Sequence, residues 1–456
     1  MGDAILIIGA ARSGVASAEY LLSIGKEIVI SDMNTKLAED VETQLGHASV
    51  SYVWGKQPDV AALQPELIVM SPGVPLSIPP VVKARELGIP VISEPELAFR
   101  YSDVPFVAIT GTNGKTTTTT LTAFLLEKEG RKVVAGGNIG LPLISQCPKM
   151  SANDIVVAEM SSFQLESVDS FCPKVAVVMN LTPDHLDRHK TMEAYAAAKA
   201  NIFKNQGPED YLLLNKDDAI VAAMAAGAKS HVYYFSQQEI LQEILDEGIW
   251  LEDGNLVYRL DKNGAPQVLI PAAEIGIVGS HNWQNAMAAS LAALLMGQQP
   301  EIIAERLRAF KGVAHRMEPV ATIDGVLYVN DSKGTNPDST EKALGSYGER
   351  PIVLIAGGRN KGSDMAVLVP LMRAHCRGVV LVGEATGDFI DAFERTGYTA
   401  YVCADSFEDA VAKAREMAQS GDVVLLSPAC ASWDMFDNFE QRGDLFKELV
   451  KDYAAK

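Results

Sequence analysis

Short apolar runs alternate along this chain with longer stretches whose apolar positions recur every three or four residues. The runs Ala4–Ile8, Ile28–Ile30, Leu67–Met70, Phe106–Ile109, Ile155–Ala158, Val175–Met179, Ile352–Ile355, Val379–Val382 and Val423–Leu426 are continuous rather than alternating in polarity. Strands buried on both faces have that texture, and helical stretches between them suit crossover connections. The pattern predicts an α/β protein with parallel sheets. Most runs end in Gly, Ser, Asp, Glu or Asn. In open α/β sheets ligands bind beyond the carboxyl ends of the strands, so these polar ends are where chemistry is expected.

The alternation breaks near Ser93-Glu94-Pro95 and again near Lys311-Gly312. Three α/β domains are therefore expected, over residues 1–94, 95–312 and 313–456. The outer two read as Rossmann-like and the central one as a phosphate-loop mononucleotide-binding domain. The stretch Tyr233–Pro271 differs, with short strand-like pieces separated by Asp253-Gly254 and Asn263-Gly264. Such pairs are hairpin turn signals and predict antiparallel edge structure. Helices are expected at Asn282–Met296 and Glu301–Phe310.

The 456 residues carry a formal net charge of -19. Nucleic-acid binding draws on clustered Lys and Arg, so a nucleic-acid partner is not expected and any anionic ligand must be held locally. Five scattered cysteines without a Cys-x-x-Cys pair argue against a disulfide framework and fit a reducing cytoplasm. The apolar segment Ala286–Met296 is shorter than the roughly 20 residues that span a bilayer, so no membrane insertion is expected. Nothing in the chain demands an oligomer, and a monomer is expected.

Gly111-Thr112-Asn113-Gly114-Lys115-Thr116-Thr117 follows a strand and opens a helix. There, backbone N–H groups, a helix N-terminus and a lysine converge on a triphosphate. Ile109 stands where the longer phosphate-loop pattern has its first glycine, so the loop is a shorter variant. Thr116 or Thr117 would give a hydroxyl to Mg²⁺, and Glu159, just after Ile155–Ala158, is the candidate carboxylate. His185 ends a third strand in the same manner. Lys199 shares a helical face with Tyr195, Ile202 and Phe203. Two readings stay open: a desolvated amine able to take up carbon dioxide as a carbamate, or a lysine that snorkels its ammonium into water.

Toward the N-terminus, Gly9-Ala10-Ala11-Arg12-Ser13-Gly14 lies between a strand and a helix, and Asp32 ends the next strand. Ala11 replaces the glycine that lets a backbone approach a pyrophosphate, so a nucleotide diphosphate other than a nicotinamide cofactor is favoured. Ser71-Pro72-Gly73 and Asn138 add polar loop groups. In the last third, Asp331–Asn336, Gly357–Gly362 and Ser427–Ser432 each follow a strand. Their cationic and hydroxyl groups suit a small dicarboxylate and a developing phosphoryl charge.

Together these stretches resemble the Mur ligase family over essentially the whole chain. The phosphate loop Thr110–Thr117, the segment Glu159-Met160-Ser161-Ser162-Phe163-Gln164-Leu165 and Asp184-His185-Leu186-Asp187-Arg188 resemble its motifs. Gly136–Gly140, Ser427–Ser432 and Asn438–Gly443 resemble its D-glutamate-adding branch. The resemblance implies ATP-dependent ligation of D-glutamate to UDP-N-acetylmuramoyl-L-alanine through an acyl phosphate, in the making of peptidoglycan precursors. Lys115, His185 and Lys199 would be catalytic. Asn282, Asn285, Arg316, Asp331 and Lys333 would join Gly111–Thr117 on ATP. Ser13, Asp32, Ser71, Asn138, Ser161, Gln164 and His185 would bind the UDP-sugar, and Thr335, Lys361, Ser432 and Phe439 would hold D-glutamate. Two Mg²⁺ ions are implied, with Thr116, Thr117, Glu159, His185 and carbamylated Lys199 beside them. Gly334 departs from the alanine commoner in the family. A folylpolyglutamate synthase-like ligase, which an N-terminal UDP-type domain disfavours, and a non-catalytic nucleotide sensor are the competing expectations.

Overall fold

The computed structural model describes residues 4–239, 246–277, 279 and 281–454. Ser280, close before Asn282 of the residues expected on ATP, and residues 240–245 of the expected edge structure lie outside the described residues. The chain forms two compact units, Met1–Ala273 with Gln284–Arg306 and Glu274–Trp283 with Leu307–Lys456. Three sheets, two of them in the first unit, make up a three-domain α/β architecture.

The first sheet holds β1 (Ile5–Ile8), β2 (Ile28–Asp32), β3 (Val50–Trp54), β4 (Leu67–Met70) and β5 (Val91–Ser93), all parallel, in the order β3-β2-β1-β4-β5. β1 and β4 are buried along their whole length, as their unbroken apolar sequences require. The order reverses between β1 and β4, which sets the loops after them side by side. Ser71 there donates its hydroxyl to the Gly9 carbonyl at 3.0 Å.

The second sheet begins with β6 (Phe106–Thr110), β7 (Val133–Gly137), β8 (Ile155–Glu159), β9 (Val175–Val178) and β10 (Tyr211–Asn215). β11 (His231–Glu239), β12 (Gly248–Glu252), β13 (Asn255–Arg259) and β14 (Gln267–Pro271) complete it, in the order β14-β13-β12-β11-β10-β9-β6-β8-β7. The antiparallel edge is narrower than the turn signals predict. Tyr233 lies in β11, which runs parallel to β10 and, on its other side, to β12. Only β12, β13 and β14 pair antiparallel, and Asp253 and Gly254, at φ 49° and 73°, close the β12–β13 hairpin. β11 is an interior strand between β10 and β12, with Tyr233 and Phe235 buried, and so lies inside the parallel part of the sheet.

The third sheet holds β15 (Glu318–Ile323), β16 (Val326–Asn330), β17 (Ile352–Gly357), β18 (Cys376–Val382), β19 (Tyr401–Cys403) and β20 (Val423–Ala429), ordered β15-β16-β20-β17-β18-β19. β15 is antiparallel to β16 and every other pair is parallel. The last strand in the chain thus sits between β16 and β17, so three loops distant in sequence leave adjacent strand ends.

Candidate active site

β6 lies between β8 and β9, and its C-terminal end delivers the phosphate loop to the head of the helix Lys115–Leu126. Gly111 at φ 148° and Gly114 at φ 82° occupy backbone regions that side chains rarely adopt. A Cβ on Gly111 would stand 2.8 Å from Met179 Cβ, and one on Gly114 2.4 Å from Asn285 Oδ1. Asn180 clamps the loop: its Oδ1 accepts from Asn113 N at 2.8 Å and its Nδ2 donates to Asn113 O at 3.1 Å. Thr112 N donates to Asn180 O at 2.8 Å. Asn180 was legible only as a polar strand end. Thr116 and Thr117 are buried at the first turn of the helix, and Thr118 donates to Asn285 Oδ1 at 3.2 Å. Asn282, earlier on the helix His281–Leu295, is buried.

Lys115 Nζ folds back onto the loop, donating to Gly111 O at 2.9 Å and Thr112 O at 2.6 Å. Lys199 Nζ reaches the same Gly111 carbonyl at 2.7 Å and lies 4.7 Å over the Tyr195 ring. Lys199 is 1% exposed, which excludes the snorkelling arrangement. Burial, reinforced by the nearby Lys115 ammonium, pushes its amine well below the ordinary lysine range despite the opposing pull of Asp184 and Glu159. The same burial favours the uncharged form of the amine over the ammonium. Tyr195, placed by the sequence only as a neighbour of Lys199, also sets its hydroxyl 3.2 Å from Thr112 Oγ1.

Strand register puts Glu159 level with Ile109 on one side and Gly137 on the other. The Glu159 side chain is buried; Asn138 Nδ2 donates to its Oε1 at 2.9 Å, while its Oε2 has no hydrogen-bond partner. A buried carboxylate oxygen without a donor is costly unless a cation meets it. Ser161 and Gln164 form the capping box of the short helix Ser162–Leu165, with Ser161 N donating to Gln164 Oε1 at 2.9 Å. His185 adopts φ 54°, half-buried, its ring edge-on to Phe163 at 4.9 Å and its Nε2 3.6 Å from Asp184 Oδ2.

The N-terminal loops meet this region. Arg12 donates to Gly140 O at 2.8 Å, joining the loop that bears Ser13 to the one that bears Asn138. Arg188 donates to Pro72 O at 3.1 Å, tying the Ser71 loop to the helix after His185. Asp32 Oδ2 accepts from Ala10 N at 2.7 Å and Oδ1 from Asn34 N at 2.8 Å, so this carboxylate shapes the loop as well as facing it.

In the second unit, Asp331 is fully buried and accepts from Ser427 Oγ at 2.8 Å and Met317 N at 3.2 Å. Burial pushes its carboxyl up to about 6, with Arg316 pulling the other way. An alanine Cβ at Gly334 would stand 2.6 Å from Asp331 Oδ2 and 2.9 Å from Ser427 Oγ, which accounts for the glycine. Lys333 Nζ lies 4.9 Å over the Phe439 ring, and Ser332 Oγ donates to Phe439 O at 2.8 Å. Arg359 and Ala431 exchange backbone hydrogen bonds at 2.8 and 3.0 Å, bringing the loop of exposed Lys361 beside buried Ser432. Thr335 is half-buried on the third loop. Arg442, given no role by the sequence, joins two of these loops, donating to Ser332 Oγ at 3.0 Å, Ser332 O at 2.8 Å and Cys430 O at 3.2 Å. Its signal in the sequence was its place in Asn438–Gly443, one of the segments that resemble the D-glutamate-adding branch.

Three family models account for most of the chain: a Mur ligase MurD-like N-terminal domain over residues 3–93, a Mur ligase middle domain over 109–293 and a Mur ligase glutamate ligase domain over 315–430. A UDP-N-acetylmuramoylalanine--D-glutamate ligase of Pelotomaculum thermopropionicum is 49% identical over 447 residues, 98% of this chain and 97% of its own. One of Clostridioides difficile is 41% identical over 453 residues, covering 98% of each chain. The fold is also that of MurC from Thermotoga maritima, with a TM-score of 0.60 at 18% identity and 99% of both chains covered. MurF from Acinetobacter baumannii gives 0.62 at 16% identity, covering 99% of this chain and 93% of that one. The phosphate loop, the buried lysine above it and the unpartnered glutamate thus stand in a chain that relatives match nearly end to end, and the chain belongs to the Mur ligase family.

Proposed function

We propose that this chain is an ATP-dependent ligase that joins D-glutamate to UDP-N-acetylmuramoyl-L-alanine in peptidoglycan precursor synthesis. The observation that carries the reading is the meeting of Lys115 and the buried amine of Lys199 on one carbonyl of the phosphate loop, with the unpartnered oxygen of Glu159 among the charges acting on that amine. A carboxylate does not condense with an amine in water. ATP first transfers its γ-phosphoryl to the L-alanine carboxylate; the D-glutamate amine then attacks the acyl phosphate, and inorganic phosphate leaves as the amide forms. Lys115 holds the moving phosphoryl group, and the loop N–H groups fix the remaining phosphates.

Glu159 Oε2, the hydroxyl of Thr116 or Thr117, His185 and a carbamate on Lys199 suit Mg²⁺, which takes few protein groups beside phosphate oxygens and water. Bound there, Mg²⁺ supplies charge neutralisation on the phosphates. A carbamate would turn the Lys199 side chain from a base into an anion, and the burial that disfavours its ammonium supports that reaction. Asn282, Asn285, Arg316, Asp331 and Lys333 are assigned to ATP. Ser13, Asp32, Ser71, Asn138, Ser161, Gln164 and His185 are assigned to the UDP-sugar, and Thr335, Lys361, Ser432 and Phe439 to D-glutamate. Domain limits of 1–94, 95–312 and 313–456, a monomeric state and a cytoplasmic location complete the proposal. Among the described residues no helix is long and apolar enough to cross a membrane. Phosphate release measured with each amino acid in turn, in the presence of ATP and UDP-N-acetylmuramoyl-L-alanine, tests the reading: release only with D-glutamate is expected, and release with another amino acid or with none overturns it.

A further inference from the structure

A buried imidazole lies beside the lysine and glutamate machinery without belonging to it. His189 ends the short helix Leu186–His189, and its side chain is 2% exposed. Its Nε2 stands 2.9 Å from the Ser162 hydroxyl and its Nδ1 3.4 Å from Glu166 Oε1. Both ring nitrogens are thus engaged by the segment that follows Glu159. The ring stacks on Phe163 at 5.4 Å, and Phe163 in turn presents its edge to His185 at 4.9 Å. Tyr195, 5.1 Å away, is the residue whose ring lies beneath Lys199 Nζ.

We infer that His189 is a positioning residue for the ligase reaction: one imidazole, fixed at both nitrogens, sets the orientation of His185 through Phe163 and of Lys199 through Tyr195. The inference rests on the ligase reading above. His185 sits in a left-handed backbone conformation, which persists only when its surroundings over-determine it. Phe163 is a ring neighbour of His185, and it is held in turn by the stacked His189 ring and by the Arg188 guanidinium, 3.9 Å from its centroid. Lys199 Nζ is held between two contacts, the Gly111 carbonyl and the face of the Tyr195 ring. Replacing His189 by alanine leaves the Ser162 hydroxyl and the Glu166 carboxylate short of a partner and opens a space between two aromatic rings. A purely structural role would lower stability and leave the chemistry of the folded fraction untouched. A positioning role lowers turnover in protein that is fully folded.

The test uses full-length wild type, His189→Ala, His189→Gln and Ser162→Ala, each checked for folding by circular dichroism and assayed below its melting temperature. In His189→Ala, kcat should fall about 10–100-fold, as loss of an outer support to a metal-side group does, with KM for D-glutamate unchanged. The Mg²⁺ concentration for half-maximal rate should rise, and the ¹³C carbamate signal after incubation with ¹³C-bicarbonate should weaken. Gln at this position keeps a polar group within reach of Ser162 and should recover part of the turnover. Folded His189→Ala with wild-type kcat, Mg²⁺ requirement and carbamate signal overturns the inference. Should that variant not fold, Ser162→Ala decides: a lowered kcat supports the inference and an unchanged one overturns it. If wild type releases no phosphate with D-glutamate, the ligase reading fails, whereas the carbamate signal compared between wild type and variants still reports on what His189 positions.

Discussion

Lys199 shows how far one side chain can be read from its spacing. The three- and four-residue periodicity placed it on an apolar helical face, and two outcomes were open because a long lysine stem can reach water from such a face. The tertiary structure closes that route by setting the phosphate loop over the amine. Lys199→Ala should lower ligation roughly 100-fold or more, the range in which outer support and direct metal-side groups operate, while circular dichroism stays that of wild type. Added acetate should restore part of the rate; wild-type rate in the plain variant would remove the carbamate. Glu94 makes a separate point at this scale. It is buried, Ile144 N donates to its Oε1 at 2.7 Å, and its Oε2 has no partner. Burial pushes its carboxyl up to about 7 from 4.5, against the donors Ile144 N and Leu143 N. Between those values the folded chain keeps a proton that the unfolded chain has released, so this group's contribution to stability declines as pH rises from 4.5 through about 7 and is level above that. The full decline is at most roughly 3 kcal/mol. Glu94→Gln cannot ionise, so urea unfolding should show wild type losing stability relative to the variant between about pH 4.5 and about pH 7; a constant difference would refute the assignment.

Elements carried most of what was legible. Continuous apolar runs identified the buried strands because burial on both faces leaves no polar alternation to confuse them, and Asp253-Gly254 marked the β12–β13 turn because two successive positive φ angles favour those residues. The limit of the antiparallel region was not legible, since the direction in which β11 pairs depends on strands far away in sequence. The phosphate loop was recognised from Gly111, Gly114 and Lys115, but its clamp, Asn180, was not, because any polar residue can end a strand. Gly111→Ala should abolish ATP-dependent phosphate release in a folded protein, as the added Cβ meets Met179 Cβ at 2.8 Å and the backbone stands at φ 148°. Gly137→Ala, at φ 99° with Glu159 O 2.4 Å from the new Cβ, should cost about 1–3 kcal/mol in thermal unfolding. It should also raise the Mg²⁺ requirement, because relief of the clash moves the backbone of Glu159.

At the scale of the molecule, three sheets place their chemistry at the same kind of location, beyond the carboxyl ends of the central parallel strands. The phosphate loop belongs to the first unit, so ADP should stabilise that unit by mass action, by about 2.7 kcal/mol at a hundred times its Kd. Differential scanning calorimetry should show the ADP-dependent rise in wild type and its absence in Gly111→Ala. A rise of equal size in both would place the nucleotide elsewhere. With a net charge of -19 the chain must hold any anionic substrate locally, and Lys115 with the loop N–H groups is the cluster proposed for the phosphates.

Sequence by itself determined the α/β class, the phosphate loop and the family, and pointed to Glu159 as the candidate metal-side carboxylate, because each rests on residues close together in the chain whose types are dictated by local backbone geometry or by burial. Tertiary structure alone decided the rest. It brought Lys115 and Lys199 to one carbonyl, left Glu159 Oε2 without a donor, and inserted β20 between β16 and β17 so that Arg442 could join the Ser332 and Cys430 loops. These are contacts between residues distant in the chain. No periodicity encodes them, because they follow from strand order and from which polar atoms burial leaves without water.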